Sequence, residues 1–491
     1  MALRDYQPHQ GHLFWSPPHD VLPKDHLCFI VDELVEQLDV SVLPDRSKTR
    51  GSPAYDPRLL IKVLFYGYAT GTFSSRQLMR ACREQLPYTF LTRQQYPDHR
   101  TISDFRKDNL LFIQEAFTQI VQLAAEVGMV KLGTVALDST RIRANASREA
   151  TIKTDRIDEE LERALQKAIA LDDDEDKKYG RARTGDEQPE GLRTAEQRRK
   201  RLHKVRQRIN RLTRAKEAVE GTERKCVNMT DTEATFTQKG RALLPVYSAH
   251  ATSTEEGVIV DAFVHDNPAD YEGLPKTVEH IKERCDETPA RLLADSGYYT
   301  KKNLTCLKEE QIEGYLPSSG QARDAKDMYE PRKYSKDKFT YDEERDVYLC
   351  PQGKELSYRK TDKTRGDRLY RRTSCRDCPV FTDCVRGSKP YRLICRSKEE
   401  LLMNEMKERI ESPRGKAIYG KRKTMIEPRF GHIKKNLRFR QFYLRGRCGA
   451  EIEWLMLCIG INIRKLVRFI GKLLTPSKPG GVLPLRDLPA A

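Results

Sequence analysis

Three acidic residues, far apart in a chain of 491, stand where they could do chemistry together. Asp138 closes the apolar run of TVALD and Asp295 that of RLLAD, so each reads as the residue leaving a buried strand. Glu427 lies inside KRKTMIEPRFGHIKKN, a strongly basic stretch of helical character. Ionised carboxylates converging on one point are hard oxygen ligands for divalent cations. Such cations serve phosphodiester chemistry by neutralising the phosphate and activating the attacking oxygen. Any one Asp after a strand reads equally well as a turn residue or a helix cap. The combination carries the weight, together with an order of elements that can bring the three together. Lys423 stands four residues before Glu427 and Lys434 seven after, so a helix from about residue 412 would put all three on one face. There the Glu would meet metal while the lysines reach phosphates. A surface salt-bridge ladder would have the same spacing.

Cys350, Cys375, Cys378 and Cys384 form a second constellation, in YLCPQGK and SCRDCPVFTDC. Four thiolates suit tetrahedral zinc, and CRDC has knuckle-type spacing. Buried free cysteines and a redox pair are the other readings. Weaker candidates keep ordinary explanations. His432 could touch DNA or metal, but helix-surface placement is favoured. Thr230 and Asp231 read as a turn or cap, Tyr298 as core before base-stacking platform, and Trp454 as core.

The elements that must position these residues follow from periodicity. Residues 25–127 read as helical: Asp56-Pro57 opens one helix that ends near Gly71, Ser74-Ser75 caps another, and Thr101 with Asp104 forms a capping box before a third. Such short helices suit a helix-turn-helix-like DNA-binding module, and a bundle that only packs on its neighbours fits as well. Residues 132–138, 243–252 and 257–265 read as strands, the last two as a hairpin. A helix over 270–284, a short strand ARLLAD, a helix TKKNLTCLKEEQ and a strand IEGYLP follow. Residues 151–225 show no strand-like run. Ile157, Leu161, Leu165 and Ile169 predict one arm of a helical hairpin, Leu202, Val205, Ile209 and Leu212 the other, with the acidic loop DDDEDKKYGRARTGDEQPEG between. The order is that of an α/β, ribonuclease H-like mixed-sheet core. Asp138 would end the first strand and Asp295 the fourth, and those strands must be neighbours for the carboxylates to meet.

Charge bounds the partners. The formal net charge is +17, and it is clustered. Residues 191–225 carry 13 Lys/Arg against 4 Asp/Glu, and residues 411–470 carry 15 against 4. Clustered positive charge is the footprint of a polyanion; a solvated basic helix is the plainer reading. The apolar run Ile452–Ile463 is interrupted by Glu453 and Asn462, which argues against a membrane span. The N-terminus lacks the layout of an export signal. A cytoplasmic protein with reduced cysteines is expected.

The motifs also carry a resemblance. LDSTRIRANAS, LADSGYY and EPRFGHIKK resemble the three catalytic regions of the DDE transposases of bacterial insertion sequences. YDPRLLIKVLFYGYATGTFSSRQL and YPDHRTISDFR resemble the helical domain that precedes the core in one branch. The third region of that group follows a Tyr, Arg, Glu, Lys pattern. Glu427 and Lys434, six residues apart, fit it; Lys423 stands where Arg is usual, with Arg422 beside it, and Tyr419 is one residue further from the Glu. The resemblance implies that Asp138, Asp295 and Glu427 bind two Mg²⁺ or Mn²⁺ ions. It implies that Lys434, Lys423, Arg422, Tyr419 and Lys435 contact DNA. It further implies cleavage at terminal inverted repeats, joining to target DNA, and a homodimer holding two ends of double-stranded DNA. A transposase-derived DNA binder without catalysis, or a metal-dependent nuclease without strand transfer, are the alternatives. The domains expected are an N-terminal helical DNA-binding domain (1–130), the first core strand (131–150), the hairpin insertion (151–225) and the core with the second Asp (226–317). A Cys-rich β insertion (318–410), the core helices with the Glu (411–475) and a disordered tail (476–491) complete the chain.

Overall fold

A computed structural model describes residues 18–44, 54–179, 192–240, 242–265, 272–318, 321–322, 333–363, 366–385 and 387–473; the expected disordered tail lies outside them. The fold is mixed α/β. It divides into two compact units, each assembled from separate stretches of chain. The first takes residues 1–131, 139–268 and 426–491, the second 132–138 and 269–425.

In the first unit, α1 (Pro18–Val21), α2 (Leu27–Gln37), α3 (Pro57–Thr70), α4 (Ser75–Glu84), α5 (Leu86–Leu91), α6 (His99–Asp108) and α7 (Leu110–Glu126) form the N-terminal region. Asp56 caps α3 through the Arg58 N–H at 2.8 Å, and Gly71 ends it at φ 90°. The long third helix expected from Thr101 is in fact two. Asp98, not Thr101, provides the cap, accepting from the Arg100 N–H at 2.8 Å. Asn109 breaks the run: its amide donates to the Phe105 carbonyl at 2.6 Å and competes with the helical ladder.

The C-terminal helix (Gly446–Leu473) is the spine of this unit and packs against α2, α3, α6, α7 and the sheet. The polar residues that interrupt its apolar run each clamp a neighbour. Glu453 accepts from the Tyr68 hydroxyl at 2.8 Å and from the backbone N–H groups of Tyr443 and Leu444 at 2.6 and 3.1 Å. It also pairs with buried Arg106 at 3.3 Å. Asn462 bonds both the N–H and the carbonyl of Ile259 at 2.8 Å. Trp454 is core, as its setting suggested, and donates to the His250 carbonyl at 2.7 Å. Among the described residues no helix is long and apolar enough to cross a membrane.

The sheet of this unit contains β4 (Thr235–Lys239), β5 (Ala242–Thr254) and β6 (Ile259–His265), antiparallel in sequence order. It also holds the second half of β1 (Thr134–Arg143), where the Ala144 N–H meets the Pro245 carbonyl at 3.0 Å. Residues 151–225 do contain a strand. β2 (Thr151–Lys153) pairs with β3 (Cys226–Asn228) and closes the base of the helical hairpin. It was illegible because three residues are too short to show a period. The arms are α8 (Ile157–Tyr179) and α9 (Leu192–Val219), so the acidic DDDEDKKY extends the first arm as helix rather than starting a loop. Leu165 and Ile169 are exposed, while Ala164 and Leu212 are buried. Apolar residues every four positions precess about 40° per step on a helix of 3.6 residues per turn, so the row rotates off the seam.

The second unit holds the first half of β1, then α10 (Gly273–Cys285), β7 (Arg291–Leu293), α11 (Lys301–Glu309) and β8 (Glu313–Tyr315). β1 and β7 run parallel, as do β7 and β8, with α11 as the second crossover. A five-stranded antiparallel meander follows: β9 (Thr340–Asp342), β10 (Val347–Leu349), β11 (Glu355–Thr361), β12 (Arg368–Arg371) and β13 (Leu393–Arg396). Its core is small: Phe339, Tyr348, Leu356, Tyr370 and Ile394. The short α12 (Phe381–Cys384) lies before β13, and α13 (Glu400–Glu411) and α14 (Pro413–Met425) end the unit.

Candidate active site

In the second unit the two Asp-bearing strands are neighbours. Val135 pairs with Leu292 and Ala136 with Leu293, so Asp138 and Asp295 each stand two residues past the last registered pair. Equal offsets on adjacent parallel strands bring the carboxylates to the same level. Asp138 does not end its strand, as expected, but lies in the middle of β1. Beyond it STRIR alternates, with Thr140 and Ile142 buried and Arg141 and Arg143 exposed, which sustains a half-buried strand. Asp295 does leave its strand. It caps a single 3₁₀ turn, accepting from the Gly297 N–H at 2.8 Å.

The cation that meets this acidic pair is Arg422 of α14. Its Nη1 donates to Asp138 Oδ2 at 2.7 Å, with both side chains mostly buried. Its guanidinium lies 5.9 Å from the ring centre of Tyr419, one turn earlier. Burial alone would lower the Arg422 pKa, but Asp138, Tyr419 and Asp295 raise it above the usual arginine value. Burial pushes the Tyr419 hydroxyl up, and Asp295 and Asp138 add to this against the opposing Arg422. Asp138, Asp295, Tyr419 and Arg422 therefore form one electrostatic group. Lys423 is exposed, one residue round the helix.

Glu427 belongs to the first unit and opens α15 (Glu427–Gly431) two residues after α14 ends. The continuous helix expected from residue 412 is interrupted at Ile426, with Pro428 in the first turn of the new one. His432–Asn436 then forms a π-turn, closed by the Leu437 N–H on the His432 carbonyl at 2.9 Å. The single-face count over Lys423, Glu427 and Lys434 assumed a regular helix, and the break and the wide turn remove that premise. Lys434 donates to the Thr140 hydroxyl of β1. Lys435 is exposed, and His432 is half-buried beside Arg429, Arg464 and Arg468. Burial lowers the His432 pKa, and those three arginines lower it further.

Cys350, Cys375, Cys378 and Cys384 of the second unit line one cavity of about 30 Å³. The Cys350 Sγ accepts the Lys354 N–H at 3.3 Å, and the Cys378 N–H meets the Cys375 carbonyl at 3.0 Å. Burial pushes the Cys384 thiol up; Arg392 opposes this, and Cys375, Cys350 and Cys378 add to it. Among the described residues no group of three or more His, Cys, Asp or Glu is drawn together closely enough to hold a metal ion as it stands. The donors still differ in kind: carboxylate oxygens suit Mg²⁺ or Mn²⁺, thiolates suit Zn²⁺.

Reading the sequence missed Thr140 as the Lys434 partner, and it missed Arg429, Arg464 and Arg468. A signal existed for the last two: arginines four apart in an otherwise apolar helix share one face. Tyr298 is fully buried, and Asp231 accepts the Tyr247 hydroxyl at 2.7 Å and the Gly446 N–H at 3.2 Å.

A family model described as a transposase DDE domain matches residues 349–467. A second, described as a transposase domain (DUF772), matches residues 17–108. The first spans Glu427 and Lys434 together with the four clustered cysteines, and neither reaches Asp138 or Asp295. No curated protein and no solved structure matches the chain.

Proposed function

The chain belongs to the DDE transposases of insertion sequences, and from that premise we propose that it cuts DNA at the terminal inverted repeats of its element and joins the ends to a target. The observation that carries this reading is the equal offset of Asp138 and Asp295 on adjacent parallel strands, facing Arg422. In this reading the core is ribonuclease H-like and Asp138, Asp295 and Glu427 are the metal-holding carboxylates. Their donor set fits hard divalent ions. Two bound Mg²⁺ or Mn²⁺ ions would neutralise the phosphate and activate the attacking oxygen. The protein's own part is positioning. Arg422 holds one oxygen of Asp138 in place, so the carboxylate enters the reaction with its orientation fixed. Tyr419, whose hydroxyl burial pushes further up from the ordinary tyrosine value, is a hydrogen-bond donor beside the acids. Lys434 is steered by Thr140, and Arg422 is the residue that takes the Arg role of the family pattern. Lys423 and Lys435 would contact phosphates. The homodimer would hold two ends at once.

The Cys-rich meander would carry one structural zinc on Cys350, Cys375, Cys378 and Cys384. A module with so small a core is stabilised by such a staple. Zinc content of the purified chain, with and without Cys378→Ser, checks this; a full-length protein without stoichiometric zinc would refute it.

The main test uses terminal-repeat duplex and Mg²⁺. Wild type should give cut and then joined products, and Asp138→Asn neither, while still binding the duplex. Cleavage that survives Asp138→Asn would sink the assignment. Cut ends that never join would reduce the activity to that of a nuclease.

A further inference from the structure

Lys434 and Lys435 are adjacent in sequence but serve different places. Lys434 reaches Thr140, whereas Lys435 lines a groove of about 410 Å³ in the first unit. The groove runs between α15 with its π-turn and the C-terminal helix. Its basic lining is Arg429, His432 and Lys435 on one side and Arg464, Lys465 and Arg468 on the other, and no carboxylate lines it.

Two of these cations donate to backbone carbonyls. Arg464 Nη1 donates to the Ala69 carbonyl at 3.2 Å, and Lys465 Nζ to the Glu256 carbonyl at 3.0 Å. Arg429 packs over Gly257, where a Cβ would come within 1.8 Å of its Nη2. Arg429 Nε is buried without a hydrogen-bond partner. Among the described residues, Arg429, Lys435, Arg464 and Arg468 make no ion pair. The charges feel one another: burial lowers the Arg429 pKa and Arg468 lowers it further. Like charges gathered in a concave site raise the energy of the empty protein, and a bound anion relieves that cost.

We propose that this groove binds consecutive backbone phosphates of duplex DNA, away from any reading of base sequence. The proposal rests on the transposase reading for the identity of the polyanion. Three guanidiniums present planar donor forks that match phosphate oxygens. The groove is larger than one phosphate requires, which favours a run of phosphates over a single ion. No Phe, Tyr or Trp lines it, so it offers no large aromatic platform for stacking a nucleotide base. Adjacent residues of a helical turn point in well-separated directions, so Lys434 and Lys435 reach two different places.

The test is fluorescence anisotropy of the full chain with the terminal-repeat duplex and with an unrelated duplex of equal length, across a salt series. Arg464→Gln with Arg468→Gln should weaken both duplexes by the same factor, about tenfold to a hundredfold near 0.1 M salt, and lower the salt slope by about two. Arg464→Lys with Arg468→Lys keeps the charge and should retain the slope, which separates charge from the packing at Ala69. Lys435→Gln, on an exposed side chain, should lower the slope by about one even if the double variant folds poorly. An unchanged slope in Lys435→Gln and the Gln double variant overturns the proposal. So does a loss confined to the terminal-repeat duplex, or displacement of DNA by equimolar inorganic phosphate. Cleavage surviving in Asp138→Asn while the Gln variants still lose slope would sink the transposase reading and leave the groove standing.

Discussion

Two basic regions of this protein handle positive charge in opposite ways. In the second unit, Arg422 meets Asp138 at 2.7 Å and feels Asp295 as well, so the cation is answered by acids within the protein. In the first unit, the cations of the groove face one another and no carboxylate lines their space. A balanced cluster is stable as it stands and can fix the orientation of its members, which suits reaction. An unbalanced one stores repulsion until a partner arrives, which suits binding. The buried pair Arg106–Glu453 is a third case, where compensation serves stability alone.

The largest effect should come from breaking the acids. Asp295→Asn is expected to cut strand cleavage by about a thousandfold or more, since in the proposed mechanism it removes one of the charges that hold the metal ions. Duplex affinity measured in parallel should stay within a few-fold. Next is the buried pair. Glu453→Ala leaves buried Arg106 with neutral partners, the Tyr68 hydroxyl and the Phe73 carbonyl, and should cost about 3–5 kcal/mol, read as a lower denaturant midpoint. A loss under 1 kcal/mol would mean that water or relaxation satisfies Arg106. Arg422→Ala should then lower cleavage by about tenfold to a hundredfold, and Arg422→Lys should restore only part of it, because a point charge cannot reproduce the guanidinium fork. The smallest effect expected is that of Lys423→Ala, about threefold or less on cleavage. If Lys423→Ala proved as damaging as Arg422→Ala, the contrast between the two positions would collapse.

That last pair shows where reading the chain stops. Arg422 and Lys423 are adjacent and both basic, and counting back from Glu427 selects Lys423. The count presumes an unbroken helix, and the chain breaks at Ile426 before Pro428. A helix phase is decided by where the helix starts, which is a matter of caps and packing rather than of residue type. The same limit hid the short strand β2 and set Asp98 in place of Thr101 as a cap. Longer elements were legible because burial of one face imposes a period on many residues, as in α3, β5 and the C-terminal helix.

The amino-acid sequence by itself determined the inventory: which apolar runs make strands, which residues carry hard or soft donor atoms, and where the charge accumulates. These are local properties of side chains and their spacing. Only the tertiary structure decided the pairings. It set β1 beside β7 with Asp138 and Asp295 at one level, chose Arg422 as the acids' partner, gathered four cysteines around one cavity, and drew α15 and the C-terminal helix into a groove lined by cations. Each joins residues far apart in the chain, and such contacts are fixed by register, helix phase and burial, which no window of sequence contains.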